Sequence, residues 1–166
     1  ASGENMKVLV ADNVSPVTLD KIREAGLELI YEPTYTGDSL QQGLAEHDPT
    51  ILVVRSTKVL PAMMDAAQGL ELIVRAGAGT DNIDSAHASR RGIYVANCPG
   101  KNSHAVAELV MGLMLATDRR IPEGVEMLNR GRWNKGLFAG SRGLKGRTLG
   151  IIGLGNIGRL VAARAQ

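Results

Sequence analysis

Short apolar runs alternate with amphipathic segments along the first hundred residues. The runs are typical of buried strands, and they lie at 7–11, 27–31, 51–54, 72–74 and 93–96. The segments between them carry apolar residues at helical spacing and predict helices at 16–25, 38–46, 61–68 and 84–91. Continuous apolar strands that alternate with helices indicate a parallel sheet covered on both faces. Because crossovers between parallel strands are right-handed, the expected fold class is a doubly wound α/β sheet.

The chain changes character after residue 100. Residues 105–116 are apolar except for Glu108 and Gly112, so a helix that Ser103 caps and that runs to about Asp118 should be buried on several sides. This run is shorter than the roughly 20 residues that span a bilayer, so we place the helix between two packed bodies. Residues 119–146 lose the periodicity and gain basic residues and glycine. Such a stretch is typical of an arm that packs elsewhere or of a functional loop.

A glycine motif lies between a predicted strand at 148–152 and a helix predicted from Arg159 onward. Gly153 permits a tight turn, Gly155 lets the backbone approach a pyrophosphate, and Gly158 lets the helix pack closely on the strand. The exposed N–H groups at the start of the helix would then bind the phosphates. The acidic residue that holds the adenosine ribose in such motifs is expected about 20 residues further on, beyond the last residue of this sequence.

Composition excludes several classes of function. The 166 residues are 44% hydrophobic and 22% charged, which suits one ordinary domain, or one small domain plus part of another. Aromatic residues make up 3%, too few for base-stacking platforms, so no nucleic-acid partner is expected. The single cysteine, Cys98, excludes a disulfide framework and a multi-cysteine zinc site, and it favours a cytoplasmic protein without a metal. No apolar run is long enough for a membrane span, and residues 1–5 do not resemble a signal peptide.

Charge is distributed unevenly along the chain. Residues 1–100 carry 8 basic and 13 acidic side chains, whereas residues 101–166 carry 11 basic and 4 acidic ones. A basic second part of the chain is compatible with an anionic ligand or an acidic partner, and equally with an ordinary solvated face.

Five blocks of sequence together resemble one enzyme family. The blocks are Val54–Val59, Val74–Asp84, Asn97–Ser103, Val106–Glu108 and Leu149–Gly158. Their order and spacing resemble those of the D-isomer-specific 2-hydroxyacid dehydrogenases. The resemblance implies a flavodoxin-like substrate-binding domain and the first strand and helix of a Rossmann nucleotide-binding domain. The implied organisation is a substrate-binding domain at 6–100, a crossing helix at 101–118, an arm that forms a dimer contact at 119–146, and the start of a truncated NAD-binding domain at 147–166.

The resemblance also implies roles for individual residues. It implies that the substrate is bound by Arg55, Ser56, Arg75, Ala76, Gly77, Ala78, Gly79, Asn102, Ser103 and Lys135. The backbone N–H groups of the loop after Arg75 would hold the substrate carboxylate, and the arginines would contact its carboxylate or phosphate. It implies that the cofactor is bound by Gly153, Gly155, Asn156, Ile157, Gly158 and Val106. The family's catalytic arginine, glutamate and histidine lie downstream of the glycine motif, so no catalytic residue is assigned within this chain, which alone is expected to be inactive.

The activity that the resemblance implies is hydride transfer between NAD and a small anionic 2-hydroxy or 2-keto acid. The protein would act as a homodimer or a higher homo-oligomer. The favoured substrate is 3-phosphoglycerate, oxidised to 3-phosphohydroxypyruvate in serine biosynthesis. Lys135 stands where an arginine is expected for that substrate, and a lysine binds phosphate only as a point charge. The alternatives are reduction of glyoxylate or hydroxypyruvate, oxidation of D-lactate, and a corepressor-like module that senses the dinucleotide.

Overall fold

A computed structural model of the protein describes residues 6–166, and the expectation about residues 1–5 lies outside that range. The chain forms two compact units. The first ends at Pro99, and the second runs from Gly100 to Gln166.

Strands and helices alternate strictly in the described part of the first unit. The strands are β1 (Lys7–Val10), β2 (Glu28–Tyr31), β3 (Ile51–Val54), β4 (Leu72–Arg75) and β5 (Tyr94–Asn97). The helices are α1 (Pro16–Glu24), α2 (Gly37–His47), α3 (Pro61–Ala66) and α4 (Ser85–Arg90). Every element predicted for this part of the sequence is present, with small differences at the ends.

The five strands form one parallel sheet in the order β2-β1-β3-β4-β5. This is the flavodoxin-like order, and it confirms the predicted fold class. The order of the strands reverses between β1 and β3, so the loops that follow these two strands leave the sheet in opposite directions. The reversal opens a crevice at the carboxyl ends of the strands, where ligands bind in open α/β sheets.

Successive side chains of each strand point to opposite faces of the sheet, and both faces are covered. On one face, Leu9, Leu52 and Ile73 are fully buried side by side beneath α2 and α3. On the other face, Val8 and Val10 pack against α1. A sheet that is buried on both faces holds the carboxyl ends of its strands, and the loops that follow them, in a fixed arrangement.

The second unit contains α5 (Ser103–Asp118), α6 (Ile121–Asn129), a short 3-10 helix (Lys135–Phe138) and α7 (Asn156–Ala165). α6 and α7 pack against α5. The bounds predicted for α5 are confirmed. The predicted cap is wrong, because Ser103 is the first helical residue and is buried, while Asn102 occupies the capping position without a side-chain hydrogen bond.

The expected burial of α5 on several sides is not found in the described structure. Leu109 and Leu113 are 60% and 56% exposed. α6 and α7 cover only part of the circumference of the helix, so a continuous apolar face remains uncovered within the second unit.

The strand predicted at 148–152 does not form. A parallel strand needs the N–H and C=O groups of a neighbouring strand, and residues 100–166 contain no other strand. Ile152, which an apolar strand would bury, is fully exposed. The helix predicted from Arg159 is present but begins earlier, at Asn156.

The arm is more regular than predicted, because it contains α6. Ile121, Val125 and Leu128 lie at helical spacing, and Pro122 occupies the first turn, where its missing N–H costs nothing. This was the available signal for a helix, and the loss of longer periodicity around it concealed it.

Candidate functional site

The loops after β1, β3 and β4 meet at the carboxyl edge of the first unit's sheet. They begin with Ala11, with Arg55 and with Ala76, and Asp12 is the second residue of the first of them. The last residues of β3 and β4 are paired in register. The sheet therefore brings together the part of the predicted substrate site that lies at 55–56 and at 75–79.

Asp12 fills the space between the β1 and β3 loops. Its Oδ2 atom accepts hydrogen bonds from the backbone N–H groups of Arg55 (2.7 Å), Ser56 (3.0 Å) and Thr57 (3.0 Å). Burial by itself raises the pKa of Asp12, but these hydrogen bonds outweigh it, so the pKa lies below its ordinary value of 3.8. Asp12 is not among the site residues predicted from the sequence. The available signal was a carboxylate directly at the end of the first strand.

We expect the backbone N–H resonances of Arg55, Ser56 and Thr57 to titrate together with a midpoint below 3.8. Because the folded pKa of Asp12 is lower than the unfolded one, its ionised form stabilises the first unit at neutral pH. That contribution is lost as the pH falls from the unfolded pKa through the folded pKa. A ¹H–¹⁵N NMR titration measures the midpoint, and the non-titrating variant Asp12→Asn should show no such step. A common midpoint at or above 3.8 would contradict the assignment.

Arg75, the last residue of β4, lies across the neighbouring loop. Its Nε–H donates a hydrogen bond of 2.9 Å to the backbone carbonyl of Arg55. A Cβ atom added to Gly77 would lie 2.2 Å from Nη1 and 2.5 Å from Cζ of Arg75, so this guanidinium position requires glycine at residue 77. Within residues 6–166, the Nη atoms of Arg75 have no protein acceptor, and they remain available to an anion.

The loop after β4 is held through its carbonyl groups. The Gly77 carbonyl accepts a hydrogen bond of 2.8 Å from the N–H of Cys98, and the Ala78 carbonyl accepts one of 2.6 Å from Nδ2 of Asn97. These two contacts tie the loop to β5 and to the residue that follows it.

Hydrogen bonds within the protein already use two of the four loop N–H groups that are predicted to hold the substrate carboxylate. The N–H of Ala76 binds the last carbonyl of β3 at 2.7 Å, and the N–H of Gly77 binds the Arg75 carbonyl at 2.8 Å. Over the described range, the N–H groups of Ala78 and Gly79 have no acceptor. Ala78 and Gly79 are therefore the residues of this loop whose N–H groups can donate to a ligand.

In the second unit, the glycine motif forms the turn that leads into α7. Gly153 has a φ of +90°, which L side chains rarely adopt. A Cβ atom on Gly158 would lie 2.2 Å from the Gly153 carbonyl oxygen, whereas a Cβ atom on Gly155 would meet nothing within 4 Å. The turn therefore requires glycine at 153 and 158, and it leaves open space at 155.

α7 begins directly after this open space. Arg159 is the first residue whose N–H bonds back to the turn, at 3.1 Å from the Gly155 carbonyl. In the described part of the chain, the N–H groups of Asn156, Ile157 and Gly158 have no acceptor. Free N–H groups at a helix N-terminus, next to space for a phosphate, fit the pyrophosphate of a dinucleotide.

The start of α5 lies beside the start of α7. A Cβ atom on Gly100 would lie 3.4 Å from Nδ2 of Asn156. Asn102 is exposed, Ser103 is buried, and Val106 is half-buried in the first turn of α5. The second unit thus brings these three predicted residues close to the glycine turn.

Lys135 lies in a different part of the second unit. It belongs to the 3-10 helix and lines an apolar groove of about 210 Å³ together with Met127, Trp133 and Phe138. No residue of the glycine turn lines this groove, so the second unit does not bring Lys135 together with the predicted cofactor residues.

The described residues contain neither a helix suited to span a membrane nor a cluster suited to bind a metal ion. No helix there combines the length and the apolar character that crossing a membrane requires. No group of three or more His, Cys, Asp or Glu side chains there is arranged to hold a metal ion.

The sequence matches a known family over most of its length. Residues 8–161 match the family described as D-isomer specific 2-hydroxyacid dehydrogenase, catalytic domain. The chain belongs to this family. The membership confirms the resemblance seen in the five sequence blocks.

Individual relatives agree with the family assignment. D-3-phosphoglycerate dehydrogenase from Rattus norvegicus is 38% identical over 161 residues, which cover 96% of this chain and 30% of the relative. Hydroxypyruvate reductase from Thermotoga maritima is 48% identical over 129 residues, covering 77% of this chain and 41% of the relative. The chain thus spans less than half the length of either relative.

A solved structure shows the same fold. The NAD-dependent formate dehydrogenase from Staphylococcus aureus, determined in complex with NAD, is 27% identical to the chain with a TM-score of 0.82. The similarity covers 96% of this chain and 53% of that one.

Proposed function

We propose that the first unit binds the carboxylate of a small 2-hydroxy or 2-keto acid. The proposal rests on the groups that lie at the carboxyl edge of the sheet. There, the free N–H groups of Ala78 and Gly79 lie beside the guanidinium of Arg75, whose Nη1 is 4.0 Å from the position of a Gly79 Cβ. Two N–H donors next to a guanidinium form a cradle that suits a carboxylate. The carboxylate of Asp81 also borders this cradle, with Oδ1 at 2.8 Å from the same Cβ position. Ser56 and the exposed side chain of Arg55 border this cradle.

We propose that the second unit binds NAD, which supplies or accepts the hydride when bound. The glycine turn and the N–H groups of Asn156, Ile157 and Gly158 would bind its phosphates, because they combine open space with unpaired donors. Val106, Asn102 and Ser103 would border the same ligand. The role of the described residues is to bind and orient, and we assign no proton-transfer residue among them.

Our proposal for the substrate is 3-phosphoglycerate, oxidised in serine biosynthesis. The name of the Rattus norvegicus relative supports it, and the fixed fork of Arg55 suits a phosphate as well as a carboxylate. Hydroxypyruvate is the second candidate, because the Thermotoga maritima relative is 48% identical. Hydroxypyruvate has no phosphate group, so its binding does not need an arginine at position 135. The lysine there lacks the bidentate fork that suits a phosphate.

We propose an organisation that the division into two units supports. Residues 6–100 form the substrate-binding domain, 101–118 the crossing helix, and 147–166 the start of the NAD-binding domain. We propose that the arm at 119–146 contributes to a homodimer or higher homo-oligomer in the cytoplasm. The exposed Trp133 and the apolar groove beside it support an interface role for the arm.

An NMR titration of the ¹⁵N-labelled chain tests the substrate proposal. We expect 3-phosphoglycerate, hydroxypyruvate or D-lactate to shift the N–H resonances of Ala78 and Gly79, and Arg75→Ala to abolish the shifts because the charge of the cradle is lost. The acid that binds most tightly identifies the substrate class. The exposed exchange Arg23→Ala, on α1, is the matched control and should leave binding unchanged. If none of the three acids shifts these resonances, the proposal is wrong.

A further inference from the structure

A sheet of this strand order offers an anion site at the crevice between β1 and β3. The backbone after β3 forms such a site, because three successive N–H groups, of Arg55, Ser56 and Thr57, point at one place. Convergent N–H groups of this kind bind phosphate or carboxylate groups in many proteins.

In this chain, the place is already occupied by a carboxylate of the protein. A single oxygen, Oδ2 of Asp12, accepts all three hydrogen bonds at 2.7–3.0 Å. The contact ties together residues that lie 43 to 45 positions apart in sequence. It also disperses the negative charge of Asp12 over three N–H dipoles, which reduces repulsion of an anionic ligand bound nearby.

The same loop holds Arg75. The N–H of Arg55 donates to Asp12, and the carbonyl of Arg55 accepts from Nε of Arg75. Both groups belong to the backbone of one residue, so the carboxylate fixes the backbone that in turn fixes the guanidinium. The space for that guanidinium exists because Gly77 has no side chain.

We propose that Asp12 is a positioning residue for Arg75: it acts as an internal anion that closes the β1/β3 crevice and orients the guanidinium toward the loop after β4. Only one part of this proposal rests on the proposed function, namely that the orientation of Arg75 favours binding of the acid. The chain of contacts itself can be measured without a ligand.

The first measurement follows the Nε–H resonance of Arg75 in the ligand-free chain. Asp12→Ala should broaden it or shift it toward the free-arginine position and should accelerate its exchange with water, because the Arg55 carbonyl is no longer held. Sodium formate should restore the resonance in this variant by filling the vacated anion site, and it should leave the wild-type resonance unchanged. Asp20→Ala is the matched control, since Asp20 is an exposed carboxylate on α1 that pairs with Arg23.

The second measurement is the affinity for 3-phosphoglycerate and hydroxypyruvate. We expect Asp12→Ala to weaken binding of the preferred acid about tenfold or more, comparable to the loss of one charge-assisted hydrogen bond. Asp12→Asn keeps an oxygen in place but removes the charge, so both readouts should lie between those of the wild type and of Asp12→Ala. If Asp12→Ala does not fold, Asp12→Asn decides by itself.

The outcomes separate the two proposals. An unchanged Arg75 resonance and unchanged acid affinity in folded Asp12→Ala, or wild-type values of both in Asp12→Asn, overturn the positioning role. A loss of stability alone, with both readouts unchanged, leaves Asp12 as a structural residue and also overturns it. If the wild-type chain binds no acid, the proposed function fails, and the ligand-free Arg75 resonance still decides whether Asp12 positions the guanidinium.

Discussion

Gly158→Ala should disrupt the glycine turn and the first turn of α7. The added Cβ atom would lie 2.2 Å from the Gly153 carbonyl oxygen, and this neighbour is backbone, so it cannot rotate away as a side chain would. Overpacking of this kind typically costs about 1–3 kcal/mol and occasionally more. We expect the N–H groups of α7 to exchange with deuterium about 5- to 150-fold faster, since each 1.4 kcal/mol corresponds to a factor of ten. We also expect binding of NADH to be lost.

Gly155→Ala and Gly112→Ala are the matched controls. A methyl group at either position meets nothing within 4 Å, and neither glycine has a positive φ. Gly112→Ala, inside α5, should leave α7 unchanged and stabilise its own helix by about 0.5–1 kcal/mol. Gly155→Ala should leave the fold intact but weaken NADH binding, because its methyl group fills the space proposed for the phosphates. Slow exchange in α7 of Gly158→Ala would show that the close contact does not constrain the turn.

Gly77→Ala should reduce the affinity for the acid without unfolding the first unit. Here the added Cβ atom would meet the tip of a flexible side chain, 2.2 Å from Nη1 of Arg75, so the guanidinium moves and the backbone stays. Loss of one hydrogen bond to a charged group costs about 1.5–3 kcal/mol, which is roughly a 10- to 150-fold weaker affinity. Isothermal titration calorimetry with 3-phosphoglycerate or hydroxypyruvate measures the change, and urea denaturation checks the fold.

A double-mutant cycle shows whether Gly77 acts through Arg75. In the Arg75→Ala background, Gly77→Ala should have little further effect on affinity, because the side chain it displaces is already absent. Additive effects of the two substitutions would instead mean that the methyl group obstructs the ligand directly.

The prediction from sequence was accurate where local pattern and tertiary environment agree. The short apolar strands of the first unit are buried on both faces, so continuous apolar runs are enough to predict them. Their alternation with helices leaves few possible topologies. Ser15 and Pro16 mark the start of α1, and Gly26, with a φ of +75°, follows its end as expected.

The prediction failed where structure depends on a partner. The run at 148–152 has the composition of a strand, but a strand exists only when a neighbour supplies hydrogen bonds, and the second unit has none. The burial expected for α5 failed for the same kind of reason, since an apolar helix is covered only where other elements reach it. α6 was missed because its three apolar positions stand within a stretch rich in arginine and glycine.

The sequence by itself determined the family, the doubly wound sheet and the loops that carry candidate chemistry, because these depend on local composition and on motifs of fixed spacing. Only the tertiary structure decided which groups in those loops are free. It showed that Asp12 occupies the N–H groups at 55–57, that Ala76 and Gly77 use theirs within the protein, and that Ala78 and Gly79 keep theirs available. Hydrogen bonds between residues some 40 positions apart depend on the packing of the sheet, and no local pattern encodes them.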